Sequence, residues 1–186
     1  MPNEGAGFDI TVTGLTQLKK ELSVLAPDLK NQLAKVFRDS AKKVRDDARS
    51  KVPSAPPLSH WRTVKSVNGT SRGGAGWPHW DAAQIRAGIE YKAGVTAPGF
   101  TSKSTTKFFG YRVYNASAAG NILEVSKHAQ SKSGQSFIAG LNQEVGKTGR
   151  LIYGAFDKNE TEINSKIRRE VDRIMTEYDR RLNATK

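Results

Sequence analysis

The residues best suited to chemistry lie between His60 and Asp81, in a segment that holds two of the three histidines and all three tryptophans. His60 or His79 could act with Asp81 as the general base of a hydrolytic site. However, the sequence has no histidine pair at metal-ligand spacing, no HExxH motif and no serine in a nucleophile elbow. We therefore expect no enzyme and keep a hydrolase as the weaker alternative. Because aromatic side chains are enriched at interfaces, the tryptophans are interpreted as anchors to the core or to a neighbouring chain.

A second stretch, Gly140–Thr148, nearly matches a phosphate-binding loop. Five residues separate its two glycines, whereas convergence of the backbone amides on the phosphates requires four. No apolar strand ending in aspartate follows it to hold magnesium. The chain also has no cysteine, which excludes disulfides, thiolate metal sites and cysteine nucleophiles. We expect no cofactor and no metal.

The charge of the chain is strongly positive and uneven. The formal net charge is +12, and residues 51–150 contribute +9 of it, with thirteen Lys or Arg against four Asp or Glu. These basic residues are spread singly through a centre rich in glycine and proline. They could line a pore that passes DNA, meet an acidic partner or form a solvated surface. No known nucleic-acid-binding motif occurs, so specific base reading is not expected, while contact with the DNA backbone remains open.

The elements that must position these residues are clearest near the N-terminus. Alternation over Phe8–Val12 predicts a short strand. Leucines at spacings of three and four then predict a short amphipathic helix before Pro27. From Asp28 to Val52 an apolar stripe predicts a long amphipathic helix, which Pro53 ends. The leucines of the first helix are Leu15, Leu18, Leu22 and Leu25.

Helical spacing also predicts a long C-terminal helix over Asn159–Asn183, with Asn159 and Glu162 as a capping pair. Between the long helices, Ala83–Val95 and Phe108–Asn115 alternate like the strands of an antiparallel sheet. A short helix is expected over Ala118–Lys127, and Ser131–Gly149 is interpreted as turn-rich. Long loops are expected at about 54–80 and 96–107.

These elements predict an α+β fold, in which a small antiparallel sheet packs with two long amphipathic helices and long extended loops, as a single domain over residues 1–186. Such a sheet cannot cover the apolar stripes of both helices to their ends, so neighbouring subunits are expected to cover the remainder. The sequence has no apolar run of about 18 residues and begins with a polar segment, so neither a membrane span nor a secretion signal is expected.

The order of these features, together with particular short motifs, resembles a family of siphophage tail-component or neck proteins, in the version found in phages of actinobacteria. The similarity covers nearly the whole chain. It departs from the family at position 154, where glycine stands in place of a usual proline, and after the long helix, where a usual Thr-Gly-x-Leu-x-x-Ser segment is missing. The matching stretches are Ile10–Leu15, Ala48–Pro53, Tyr114–Gly120, Gly134–Phe137 and Gly149–Ala155.

The resemblance implies a structural subunit of the bacteriophage head-to-tail junction. It would form a homo-oligomeric ring, expected to be a hexamer, between the connector or stopper proteins and the tail terminator or tail tube, with non-specific double-stranded DNA passing through the lumen. Its place would be the virion, and the host cytoplasm during assembly. A tail terminator subunit and a free basic nucleic-acid-binding protein are the alternatives. Interface or lumen contacts are expected at Trp61, Arg62, Arg72, Trp77, Trp80, Lys103 and Lys107.

Overall fold

A computed structural model describes residues 7–11, 15–61, 78–93, 110–147 and 149–184. Within these ranges the chain is mostly helical with a small sheet, which confirms the predicted α+β class. In the three-stranded sheet, strand β3 lies between β1 and β2. An antiparallel pair of strands packs against the two longest helices, α2 and α6. In chain order the elements are β1 (Gly7–Thr11), α1 (Leu15–Leu25), α2 (Pro27–Ser50), α3 (Ala82–Gly88), β2 (Ile89–Ala93), β3 (Gly110–Asn115), α4 (Ala118–Val125), α5 (Lys132–Val145) and α6 (Ile152–Ala184).

The chain divides into two compact units, each built from separated stretches. Unit 1 comprises Met1–Gly7, Arg45–Glu90 and Tyr114–Ala155. Unit 2 comprises Phe8–Val44, Tyr91–Val113 and Phe156–Lys186. The expectation of a single domain stays a prediction.

Unit 2 is organised by helix α2, in which fully buried apolar residues recur every three or four positions. This spacing places them on one helical face, as the sequence predicts. Pro27 opens the helix at its first position, where the missing N–H has no intrahelical partner to lose. The buried stripe of α2 in this unit consists of Leu29, Leu33, Phe37, Ala41 and Val44.

Helices α2 and α6 run antiparallel within unit 2. Asp28, at the start of α2, pairs with Arg181 near the end of α6 through two contacts of 2.8 Å. Further along α2, Gln32 accepts a hydrogen bond from Arg173. Lys43 lies 3.4 Å from Glu162, which is close to the other end of this part of α6. As the residue numbers rise along α2 they fall along α6, which fixes the relative direction of the two helices.

The predicted start of the last helix is wrong. Helix α6 begins at Ile152, and Asn159 is buried inside it rather than capping it. The sequence predicts a start at Asn159 because asparagine followed by glutamate three residues later is similar to a capping box. Gly154 lies two residues after the observed start. Because glycine is unfavourable in helix interiors, the sequence does not predict a helix there.

The first half of the predicted strand Ala83–Val95 is also wrong, because residues 82–88 form helix α3. Asp81 caps this helix, and its carboxylate accepts a hydrogen bond from the Gln84 backbone N–H at 2.9 Å. Ile85 and Ile89 are both buried and lie four residues apart, a spacing that fits one face of a helix and one face of a strand. The second half is confirmed as β2.

The turn-rich interpretation of Ser131–Gly149 is wrong as well, since helix α5 fills most of it. Ser131 caps the helix, and its hydroxyl accepts from the Gly134 backbone N–H at 3.1 Å. Phe137 and Leu141 lie one turn apart on its buried side. Gly140 therefore lies within a helix and not in a phosphate-binding loop.

The remaining element predictions are confirmed in the described ranges: the first strand, the helix before Pro27, the strand ending at Asn115 and the short helix from Ala118. Most of the two predicted long loops, residues 62–77 and 96–107, lies outside the described residues. No helix among the described residues is long and apolar enough to cross a membrane.

Candidate functional site

Two tryptophans of the predicted contact set lie together inside unit 1. Trp61 and Trp80 are both buried, and their rings meet edge to face with centroids 5.0 Å apart. The ring of Phe137, on α5, lies 5.2 Å from that of Trp61. The Trp61 indole N–H donates to the Pro78 carbonyl at 2.9 Å. Trp61 therefore packs on α5 and on Trp80, and the burial of these two tryptophans is what an anchor to the core requires.

The other predicted contact residues, Arg62, Arg72, Trp77, Lys103 and Lys107, lie outside the described residues. The structure therefore brings only Trp61 and Trp80 together. A contact of these two with DNA or with another subunit stays a prediction, and their burial within unit 1 does not support it.

Two of the residues considered for hydrolysis, Asp81 and His60, have structural contacts in unit 1, and His79 is partly buried there. The Asp81 carboxylate caps α3. The exposed His60 ring packs edge-on against Phe137, with centroids 6.0 Å apart. Among the described residues there is no group of three or more His, Cys, Asp or Glu that could hold a metal ion.

The most buried charge of unit 1 is Glu124, on α4, whose side chain has no solvent exposure. Its carboxylate accepts three backbone N–H groups from the start of α6: Leu151 at 2.6 Å, Ile152 at 3.1 Å and Tyr153 at 3.0 Å. The first amides of a helix have no intrahelical acceptor and carry partial positive charge. Glu124 therefore supplies the cap that the sequence alone led us to expect at Asn159.

Arg150 completes this cluster from the turn before α6. It is only 8% exposed and donates to the Leu123 carbonyl at 2.5 Å, the Gly146 carbonyl at 2.6 Å and the Asn142 side-chain oxygen at 2.7 Å. Burial lowers the pKa of the Arg150 guanidinium, and the charge of Glu124 acts in the opposite direction. The cluster ties α4, α5 and the start of α6 together, and its groups are engaged in positioning backbone rather than free to react.

Asn115 organises a second buried turn of unit 1, between β3 and α4. Its side-chain oxygen accepts from the Ser117 backbone N–H at 2.8 Å, and the Ser117 hydroxyl in turn caps α4 by accepting from the Gly120 N–H at 3.3 Å. A Cβ built on Gly120 would lie 2.1 Å from the Asn115 amide nitrogen, and one built on Gly88 would lie 2.8 Å from its oxygen. The absence of side chains at Gly88 and Gly120 therefore leaves the space that the buried Asn115 carboxamide occupies.

Unit 2 carries an apolar surface on the last third of α6. Val171, Met175, Tyr178 and Leu182 recur at spacings of four, three and four, which places them on one helical face. Met175 is 38% and Leu182 40% exposed, while Val171 and Tyr178 are partly exposed. We call these four residues the α6 stripe. Val24, on α1, is 78% exposed. It precedes Asp28, which pairs with Arg181 of α6, by four residues.

Comparison with protein-family models, with characterised proteins and with solved structures finds no match to this chain. Function is therefore inferred from the residues themselves. The sequence pattern pointed to Trp61 and Trp80 but missed the Glu124–Arg150 cluster. The available signal was a glutamate directly after the buried Leu123, on the apolar side of a short helix. The sequence cannot name the partner of such a glutamate, because the acceptor and its donors lie 27 residues or more apart.

Proposed function

We propose that the chain is a non-catalytic structural subunit of a bacteriophage head-to-tail junction, assembling into a ring that joins the head-completion proteins to the tail and lets DNA pass. The observation that carries the proposal is the α6 stripe. A helix end that presents four apolar side chains at helical spacing, two of them more than a third exposed, has an apolar face that unit 2 leaves incompletely covered. A neighbouring copy of the chain would cover it.

The size of the stripe limits what it can do alone. From Val171 to Leu182 the helix rises about 17 Å, so the stripe can form the centre of an interface. A stable interface needs about 800 Å² from each partner, so other parts of the chain must supply the polar rim. Assembly into a ring requires two different surfaces on each subunit, and the stripe would be one of them.

The charge distribution supports the second half of the proposal. The segments 1–50 and 151–186, which contain α2 and α6, are nearly neutral, with net charges of +2 and +1. The central segment carries the excess of +9. A subunit that packs through long helices and presents a basic centre to a polyanion fits this division.

The motifs behind the family resemblance have structural roles in unit 1. Tyr114–Gly120 contains the turn around Asn115, and Gly149–Ala155 contains the capped start of α6. The glycine at position 154, where the family usually has proline, also has a structural reason. The Gly154 N–H donates to the Gly149 carbonyl at 2.8 Å, a bond that proline could not make.

Electron microscopy of purified protein and of virions tests the proposal. We expect rings in solution at high protein concentration and labelled protein at the junction of head and tail. Label on the tail side of the junction would favour the tail terminator alternative. A protein that remains monomeric at all concentrations and is absent from virions would contradict the proposal.

A further inference from the structure

A shallow pocket of about 400 Å³ opens on unit 2 between α2 and β3. Two cations, two carboxamides and a phenol line it, together with Ala34. No carboxylate belongs to this lining. The polar lining residues are Asn31, Gln32, Lys35, Arg38 and Tyr111.

Every polar side chain of this lining can donate a hydrogen bond, and two of them are positively charged. Lys35 makes no ion pair with a described residue. Arg38 is about half exposed, and its nearest carboxylate, on Asp39, lies 4.0 Å from the Arg38 Nε. An ion pair at that distance and exposure is weak and leaves the guanidinium available to another anion.

Tyr111 adds a donor that stays protonated. Burial is the main cause that raises the pKa of its hydroxyl, while the charge of Arg38 acts in the opposite direction. Its ring lies beside that of Tyr91, with centroids 6.1 Å apart. Position 111 therefore presents a neutral phenol near the charges of Arg38 and Asp39, in a pocket that Lys35 also lines.

The surrounding surface of α2 extends the positive charge. Lys35, Arg38 and Lys42 are all exposed, and spacings of three and four place them on one face of the helix. The carboxylate of Asp39 lies on the same face, so three cations and one anion leave a net positive charge there. They span about 10 Å along the helix axis. One strand of a DNA duplex carries a phosphate about every 3.4 Å of the duplex axis, so this distance is comparable to the spacing of neighbouring phosphates.

We infer that the α2 pocket and its basic face bind the phosphodiester backbone of double-stranded DNA without reading sequence. The open shape of the site suits a polymer that runs across it, and its lining offers charge and donors but no base-specific geometry. This inference rests on the proposed function for its setting, because it adds a face of α2 to the basic central segment as a surface that DNA would meet in the particle. Binding itself can be measured without any particle.

The test uses the full chain and a short fluorescein-labelled duplex, with binding followed by fluorescence anisotropy at salt concentrations from about 50 to 200 mM. Removing both cations of the pocket with the double variant Lys35→Gln, Arg38→Gln should weaken binding at least about tenfold at low salt. The slope of log affinity against log salt should fall by about two, one for each lost phosphate contact.

The matched control is the double variant Lys166→Gln, Arg168→Gln, which removes the same charge from exposed positions on α6 of the same unit. It should retain nearly the parental affinity and slope. Tyr111→Phe keeps the ring and removes one donor, so it should weaken binding by about twofold to fivefold. Circular dichroism and thermal melting of each variant separate loss of binding from loss of fold.

Equal losses in the two double variants would overturn the inference, because they would show that net charge alone attracts DNA. Parental protein that does not bind the duplex at low salt would also overturn it. So would saturable binding of inorganic phosphate alone, or of polyglutamate as tightly as DNA. Absence of the protein from virions would instead contradict the proposed function and leave a positive binding result intact.

Discussion

At the scale of single residues, the turn around Asn115 explains why small side chains recur in this part of the sequence. The carboxamide is buried between Gly88 and Gly120, and its oxygen is held by the Ser117 backbone N–H. Glycine is required at position 120 by space rather than by backbone conformation, since no positive φ occurs there. The small residues Gly88 and Gly120 are thus the consequence of one buried polar group.

A pair of glycine-to-alanine substitutions tests this interpretation. In Gly120→Ala the new Cβ would lie 2.1 Å from the hydrogen-bonded Asn115 side chain, so we expect a loss of about 1 to 3 kcal/mol in the free energy of unfolding. In Gly140→Ala the new Cβ meets only the end of the flexible Leu58 side chain, at 2.9 Å. Alanine favours helix there by up to about 1 kcal/mol, so this control should be neutral or stabilising. Urea unfolding measures both, and a destabilised Gly140→Ala with an unaffected Gly120→Ala would refute the argument.

The carboxylate of Glu124 gives a second prediction at this scale. In Glu124→Gln the charge is lost, and an NH₂ group replaces one of two oxygens that both accept backbone N–H groups. Hydrogen bonds to charged groups contribute about 1.5 to 3 kcal/mol, so we expect a loss of about 2 kcal/mol or more in unfolding free energy. Glu160→Gln, at an exposed position of α6, should change it by less than about 0.5 kcal/mol. Equal urea midpoints for the two variants would show that Glu124 does not cap α6.

At the scale of elements, α1 and α2 could be predicted because periodicity and stop signals agree. Leu29, Leu33 and Phe37 fix the buried face, and prolines bound α2 on both sides. The start of α6 could not be predicted, because its cap comes from Glu124 on another helix. Helix α5 was missed because Gly134 and Gly140 weaken the local helical preference, while tertiary burial of Phe137 and Leu141 prevails.

The predicted contact residues could be identified only in part, because distant segments of the chain make their contacts. Trp61 and Trp80 could be recognised as anchors from residue type alone, but the sequence does not show which group each anchor meets. The α2 pocket joins residues 31–38 to Tyr111 across more than 70 positions, and no local pattern indicates that contact. Local periodicity thus identifies elements, whereas sites made by distant segments require the fold.

Ion pairs near the end of α6 predict acid sensitivity, and one of them joins Arg181 to Asp28 on α2. Hydrogen bonds from Arg180 and Arg181 lower the pKa of Glu177 from 4.5 to about 2, and the bond from Arg181 also lowers the pKa of Asp28. A carboxyl whose pKa is lower in the folded state stabilises the fold above its unfolded pKa and loses that contribution as pH falls. The contribution of Glu177 should therefore be complete above about pH 4.5 and disappear towards pH 2.

Thermal melting against pH checks this expectation with Arg181→Gln. At neutral pH the variant should melt at a lower temperature than the parent, by a small amount because these groups are exposed. The difference should shrink between pH 4.5 and 2, where the carboxyls of the parent become protonated. Arg169→Gln, whose Nε donates to the Ser165 carbonyl rather than to a carboxylate, is the control. A difference that persists unchanged at pH 2 would assign the effect of Arg181 to packing.

In the whole molecule, the two units differ in how their residues are buried. Burial in unit 1 is concentrated around the tryptophans, the Asn115 turn and the Glu124–Arg150 cluster, which together position loops and helix starts. In unit 2, α6 buries a narrow stripe through Ile163, Ile167 and Ile174 and leaves most of its remaining surface exposed. A helix of 33 residues, about 50 Å long, presents far more surface than that stripe needs. An assembling subunit would contact its neighbours through this additional exposed surface of α6.

The α6 stripe is expected to mediate oligomer formation. Met175→Glu with Leu182→Glu places two charges in the exposed apolar face, and burying them against a second copy would cost several kcal/mol, so the double variant should be monomeric where the parent is oligomeric. Thr176→Glu with Asn183→Glu adds the same charge to exposed polar positions one residue further along, and should leave the oligomer intact. Light scattering coupled to size-exclusion chromatography over a range of concentrations measures both. Because the two variants differ only in the face of α6 that they modify, an equal loss of oligomer would indicate general charge repulsion, and an unchanged oligomer in both would place the subunit interface elsewhere on the chain.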